Sequence, residues 1–480
     1  MYFNLRQTIN RPFVSFQEAK KNGQIAFWVV SAIAVYTPFE DFLVGWLPIP
    51  QLAQTGVRFI PEIFLYSLLA QLFYRKIKSG EKIRKTPIDI LVLAFFVASL
   101  ISIVVNYASL PGSVANLRTN WRYLSVYYLV VNLNISQQQF ASIIKKIITV
   151  GIIQSAITFV QFFLPGTLKV AISGGYCDKA LTKKASCGTF YDSAILSGFL
   201  LIIITVIFSD IYIYSSSFFL EKSNYITIIL TYFATFASKK RAALIVALVI
   251  PLVIFWSLKK IKNVAIITWF AILLLFFASF LSPVTNFQAT PSPIATGQVE
   301  STDISSYFSS IFSQEYWQHN WKSSRGWMIS TTTNALIKSG SWFGFGPELG
   351  SVTKGILPYL SEPEDQARLQ RNLFVFDDPY WFAIMAYFGL VGLIIYWLIL
   401  WRLYQAAKFV LVSTVSLTER NIALMTQTLV IIAFFYSFVE RLFRLRPFSF
   451  YFWLICGLLI NIYCYYKKQQ KNFNKENTIK

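Results

Sequence analysis

Apolar residues run along this chain in long blocks divided by short polar breaks, and the blocks have the length of membrane-crossing helices. A helix needs roughly 20 apolar residues to cross bilayer hydrocarbon. The pattern predicts spans over 24–38, 57–74, 87–106, 120–134, 141–163, 192–214, 224–238, 242–258, 263–282, 380–401, 421–440 and 447–466. The first is drawn with room for a reentrant tail over 38–50, and the pair meeting at 237–243 is short. The expected fold is an all-α polytopic membrane protein of about twelve transmembrane helices with one large external loop. Residues 1–282 hold the first nine or so spans, 283–379 the loop, 380–466 the last spans, and 467–480 a basic cytoplasmic tail.

From Ser282 to Pro379 the chain turns polar, rich in Ser, Thr, Pro and charge, and there it holds its only histidine, His319. Connections of this length inside a compact protein are functional or disordered. This one carries Arg325, Trp327 and the run from Trp342 to Pro347, and it reads as the working lid of a membrane enzyme. Its first part, 282–306, reads as flexible linker. Gly344, Gly346 and Pro347 predict a shape-setting turn anchored by Trp342, Phe343 and Phe345.

Composition strengthens the membrane reading. The chain has 480 residues, of which 55% are hydrophobic and 14% charged, and its mean hydropathy is +0.52. A soluble domain carries about 25% charge. The net charge of +21 is placed mostly beside spans, which suits loops meeting anionic lipid and disfavours nucleic acid as a partner. The first 23 residues are polar and basic and no cleavable signal peptide is evident, so the N-terminus is expected in the cytoplasm. Arg75 to Lys85, Lys259 to Lys262 and the tail from Lys467 then fall on that same side, as basic loops do. The 164–191 loop faces outward with the long loop, and its Cys177 and Cys187 are a candidate disulfide if that compartment is oxidising. Cys456 and Cys464 read as packing residues, and with no metal-ligand spacing in the chain no metal or other cofactor is expected.

Several cations defy this orientation: Arg118 and Arg122; Lys239, Lys240 and Arg241; Arg441, Arg444 and Arg446; and Arg325, Arg368 and Arg371. Positive charge beside a translocated span is disfavoured. Either these side chains snorkel to the interface, or an anion compensates them. Arginine suits the second case, since its planar fork binds phosphate oxygens in pairs. A pyrophosphate on a lipid meets that description.

Four pieces, in order, resemble a known family. They are Gly188 to Gly198 opening a mid-chain span, Ser238 to Arg241 before an apolar helix, Arg325 to Trp327 followed by Trp342 to Pro347, and Asp377 to Tyr380 followed by Gly389 to Gly392. Together they resemble the O-antigen polymerase and O-antigen ligase superfamily of bacterial membrane glycosyltransferases. The resemblance implies a polyprenyl-pyrophosphate-linked glycan as donor, membrane lipid and other polysaccharide-assembly proteins as partners, and a bacterial cytoplasmic membrane with the large loop in the periplasm. It implies Arg241 and Arg325 stabilising the departing diphosphate, and Asp378 or Asp377 as catalytic base. Arg122, Lys240, Arg444 and Trp327 are the expected substrate-binding residues. Ligases of the family carry a His-Asn pair where Asp377 and Asp378 stand, and His319 lies upstream of Arg325, so the resemblance leans towards a polymerase or a divergent ligase over a typical ligase. No Asp-x-Asp motif for a metal-bound nucleotide sugar is present, so the expected enzyme is metal-independent.

Other readings stay open. The aspartates before Pro379 also fit helix capping. Glu362, Glu364 and Asp365 fit solvated surface better than a metal site. A ligase moving the finished glycan, or a transporter of a small anion or solute, is the alternative function. A transporter favours ionisable residues near the midplane, and here only Glu62, Asp89 and Glu440 are candidates, all near span ends.

Overall fold

The computed structural model describes residues 16–46, 50–164, 185–214, 222–258, 324–373 and 376–479. Among them every regular element is a helix. α1 (Phe16–Tyr36) and α2 (Glu40–Trp46) flank a 3-10 turn, and α3 (Gln51–Lys78), α4 (Asp89–Val105), α5 (Leu110–Trp121), α6 (Leu124–Asn132) and α7 (Gln137–Phe163) follow. Then come α8 (Ser193–Tyr214), α9 (Lys222–Ala237) and α10 (Arg241–Leu258). α11 (Ser324–Ser339), α12 (Leu349–Ile356) and α13 (Pro363–Asn372) belong to the polar segment. α14 (Tyr380–Ser413), α15 (Leu417–Tyr436) and α16 (Arg446–Ile479) close the chain.

Among the described residues seven helical stretches are long and apolar enough to cross a membrane, and Asp89–Val105 and Ile226–Ala237 are shorter apolar helices. The architecture is that of a helical polytopic membrane protein. α4 shows the logic. Ile90, Leu93, Val97, Leu100 and Val104 are exposed, whereas Val92, Phe95, Ala98 and Ser102 are buried. That three-to-four spacing makes two helical faces, and both are largely apolar. Only a hydrocarbon solvent suits the outward one. α8 and the 447–466 part of α16 are apolar nearly all round, and their spans are 89% and 83% buried at the centre of the bundle.

Three expectations change. The span drawn over 120–134 is two helices, α5 and α6, broken at Arg122 and Tyr123 without proline or glycine. Around the break Trp121, Arg122, Tyr123 and Leu124 are all buried, and the Tyr66 hydroxyl donates to the Arg122 carbonyl at 3.3 Å. The second half of the large loop, for which the sequence pattern predicts no elements, is helical: 324–372 fold largely into α11, α12 and α13, and α11 packs on α14. Finally α14 is broken at Gly389, with φ 71° and ψ −173°. The span drawn over 263–282, the linker 282–306, the lysines at 259–262, His319 and Cys177 lie outside the described residues.

The Gly389 break explains the glycine-rich turn. Backbone groups freed inside a membrane helix must find partners in the protein. Here the Phe345 N–H donates to Ala386 O at 2.8 Å, Ser102 Oγ donates to Tyr387 O at 2.8 Å, and the Val391 N–H donates to Trp342 O at 3.3 Å. A side chain at Gly344 would meet the Gly389 nitrogen and the Ala386 oxygen within 2.7 Å, so the two backbones approach as only glycine permits. Phe345 is buried in this dock, while Trp342 remains exposed.

The turns between the long helices fall into two groups, giving the bundle two polar ends. One, the lysine end, gathers the turns at 79–88, 133–136 and 414–416 with Lys76, Lys78, Lys82, Lys85 and Lys467. The other, the arginine end, gathers 37–58, 106–123, 185–192, 238–240 and 437–446. Lys239 to Arg241 and Arg441 to Arg446 thus stand at the end opposite the Arg75–Lys85 loop.

Candidate functional site

The arginine end is built on ion pairs. Arg118 meets Glu62 with Nε and Nη2, both at 2.8 Å, and Arg122 faces the same carboxylate at 3.5 Å. Arg446 pairs with Glu40, and Arg58 with Asp41 at 3.2 Å. The other oxygen of Asp41 accepts from the Tyr191 N–H at 3.2 Å, which ties in the segment before α8.

That segment is locked by neutral groups. The Gln161 amide brackets Gly188, donating to its carbonyl at 2.7 Å and accepting from its N–H at 2.8 Å. Gln154 binds Thr189, and both donate to the Pro38 carbonyl at the α1–α2 turn. Gly188 has φ 61°, a left-handed conformation that favours glycine. The Ser186 N–H reaches Ala237 O at 2.9 Å and so joins this knot to the α9–α10 turn, where Lys239 also has positive φ. The expected site residues Lys240 and Arg241 stand there, half-buried, Arg241 opening α10.

The aspartates lie where the polar segment enters α14. Asp377 accepts from the Tyr387 hydroxyl at 2.8 Å and pairs with Arg444, whose second arm donates to Asn116 of α5 at 3.0 Å. Burial opposes charge on Arg444, but Asp377 and the neighbouring tyrosines outweigh it, so its pKa is raised and it stays a cation. Asp378 faces Arg441 at 3.9 Å. Neither aspartate caps α14, since Pro379 holds the cap position without a side-chain bond. Asp377 thus has both oxygens engaged, and the ion pair of Asp378 with Arg441 is the longer of the two.

The remaining expected residues are dispersed. Arg325 begins α11, and its side chain lies outside the described residues. Trp327, two residues on, is half-buried with the Arg368 guanidinium 4.7 Å over its ring, so that face is covered by the protein itself. Cys187 is buried beside the Gly188 knot, and its proposed partner Cys177 is among the residues not described. Glu362 and Glu364 are exposed at the start of α13, where acids suit a helix N-terminus. No group of side chains able to hold a metal occurs among the described residues.

The structure therefore brings together Asp377, Asp378 and Arg444, sets Arg122 in the adjoining Glu62 cluster, and puts Lys240 and Arg241 at the same end. Sequence reasoning misses Glu40, Asp41, Arg58, Asn116 and Tyr387. The acids are legible in principle: Glu40, Asp41 and Glu62 border the same side as the exceptional arginines, and counting anions with cations pairs them. Asn116 and Tyr387 leave no such signal. No protein-family model matches this chain, and no curated protein sequence matches it.

Proposed function

We propose that this chain transfers or polymerises a polyprenyl-pyrophosphate-linked oligosaccharide at the outer face of a bacterial cytoplasmic membrane, with about twelve crossings. One observation carries the reading. Asp377, Asp378, Arg441 and Arg444 meet Asn116 and Tyr387 at one end of an apolar bundle, beside helices of the polar segment. An acceptor hydroxyl attacks the anomeric carbon of the donor, and the bond from that carbon to the pyrophosphate oxygen breaks. Asp378 takes the hydroxyl proton. Asp377 fixes Arg444, and Arg241 and Arg325 stabilise the departing diphosphate in a site poor in water.

The test is a series of Asp378→Asn, Arg241→Gln and Arg325→Gln, scored by the length distribution of cell-surface polysaccharide. Loss of a positioned base lowers transfer by about 10²–10⁴-fold, so Asp378→Asn should remove long chains at normal protein level. Unchanged glycan in all three variants sinks the proposal. Deleting the protein separates the two enzymatic versions: missing long chains mark a polymerase, and accumulated lipid-linked long chains mark a ligase.

A second reading, transport of a small anion or solute, draws on the broken helices at Arg122–Tyr123 and Gly389 and on the buried Glu62 cluster. Discontinuous helices and buried ionisable groups recur in transporters. Uptake measured on the same variants decides between the readings.

A further inference from the structure

A groove opens between α3 and α4, floored by α5 and α6, with a volume of about 380 Å³. α3 packs on α6 while α4 packs on α14, so the flanking helices stand apart. Tyr66, Phe96, Val114, Leu117 and Trp121 line it, and among the described residues Arg118 is its one charged wall. Tyr66, Phe96 and Val114 are exposed at its rim, continuous with the lipid-facing stripe of α4. The groove therefore opens sideways into hydrocarbon.

Apolar walls alone name no occupant; the charge does. Two guanidiniums, Arg118 and Arg122, share the single carboxylate of Glu62, whereas Arg446 with Glu40 and Arg58 with Asp41 are matched one to one. Among the described residues one positive charge is left over beside the groove. Arg118 uses Nε and Nη2 on Glu62, which leaves the two donors of Nη1. We propose that this groove holds one chain of an anionic membrane phospholipid, with its phosphate at Arg118. A zwitterionic lipid offers the same chain but carries its own cation, and free phosphate lacks the chain. The proposal is independent of the glycan reading, since it is tested without any turnover.

The full chain, purified in detergent, is titrated with phosphatidylglycerol or with phosphatidylcholine of identical chains, and retained lipid is counted by native mass spectrometry. Phosphatidylglycerol should be retained in preference. Val114→Trp, at an exposed wall position, should abolish retention while leaving the unfolding temperature in place. Leu117→Phe narrows the same groove and takes its place as the test if the tryptophan variant does not fold. Arg118→Gln should lower the preference for phosphatidylglycerol by about fivefold, the worth of one basic contact to an anionic headgroup. Equal retention of the two lipids by the unaltered protein, or full retention by a folded groove-filling variant, overturns the proposal.

Discussion

At the lysine end, Asn461 donates to the carbonyls of Val130, Val131 and Leu133, and Arg84 reaches Val131 O and Asn134. At the arginine end, Glu62, Glu40, Asp41, Asp377 and Asp378 each face a guanidinium. Lysines beside a span can stand in water, and where one is paired, Lys76 with Glu81 at 3.5 Å, the carboxylate is itself exposed. Arginines drawn into the bundle do need one, because an unpaired buried charge is costly. The difference bears on the inference that an external anion must compensate the exceptional arginines. Within the described residues much of that compensation is internal, so a pyrophosphate here would compete with carboxylates already in place.

The sharpest way to break this contrast is to remove Glu62. Glu62→Gln strands Arg118 and Arg122, and breaking a buried pair costs roughly 3–5 kcal/mol. The unfolding temperature of the solubilised protein should fall steeply. Arg122→Gln should cost less, because Glu62 keeps its two-point contact with Arg118. Equal small effects from both would mean that the cluster is solvated and that the two ends do not differ in kind.

The dock between the polar segment and α14 comes next. Gly344 and Gly340 both have positive φ, 75° and 64°, but a side chain at Gly340 meets nothing within 4 Å. Gly340→Ala should cost only the left-handed strain, about 1–2 kcal/mol. Gly344→Ala adds a collision with the Gly389 backbone, so it should cost more and open the 324–379 segment to protease. Equal protease resistance in the two variants would dismiss the dock as a constraint.

What can be read from the sequence follows the same division. The lipid-facing and core helices announce themselves through apolar length alone, and most predicted spans have a helix within a few residues, as with 242–258 and α10 (Arg241–Leu258). The breaks at Arg122 and Gly389 do not. The first lacks any helix-breaking residue, and the second depends on Gly344, distant in the chain, to satisfy the freed backbone. The polar segment reads only as a lid, with no helices predicted in it, because α11, α12 and α13 are not apolar enough to register as spans. Of the site, the aspartates and Arg444 are legible by position. Their engagement with Asn116 and Tyr387 is a product of tertiary packing that no local pattern encodes.

A milder probe of the lysine end is Asn461→Ala. It leaves the carbonyls that end α6 without their amide donor but strands no charge. Val131 O and Leu133 O keep Arg84 and Val130 O keeps the Leu133 N–H, so the expected cost is about 0.5–1.5 kcal/mol, that of lost but not orphaned hydrogen bonds, measured by the same unfolding temperature. A loss as large as that of Glu62→Gln would erase the distinction between the ends.

The smallest effect concerns Glu348, which lies between the glycine turn and α12. Its carboxylate accepts from the Ser109 N–H at 2.9 Å, at the N-terminus of α5, where negative charge is favoured. Hydrogen bonds from Ser109 hold its pKa below the ordinary glutamate range. A group with a depressed folded pKa contributes its full stabilisation above its unfolded value and loses it as pH falls through the folded value. The contact between the polar segment and α5 should therefore be intact at neutral pH and weaken only on acidification below that ordinary range. Hydrogen exchange of 349–356, followed from neutral pH downwards and corrected for intrinsic rates, should show protection falling in that acid window. Glu348→Gln should show the weakened protection already at neutral pH and flatten this part of the profile. If the variant keeps the same acid transition, the titrating group is elsewhere, and the arginine end carries a further acid-sensitive contact besides this one.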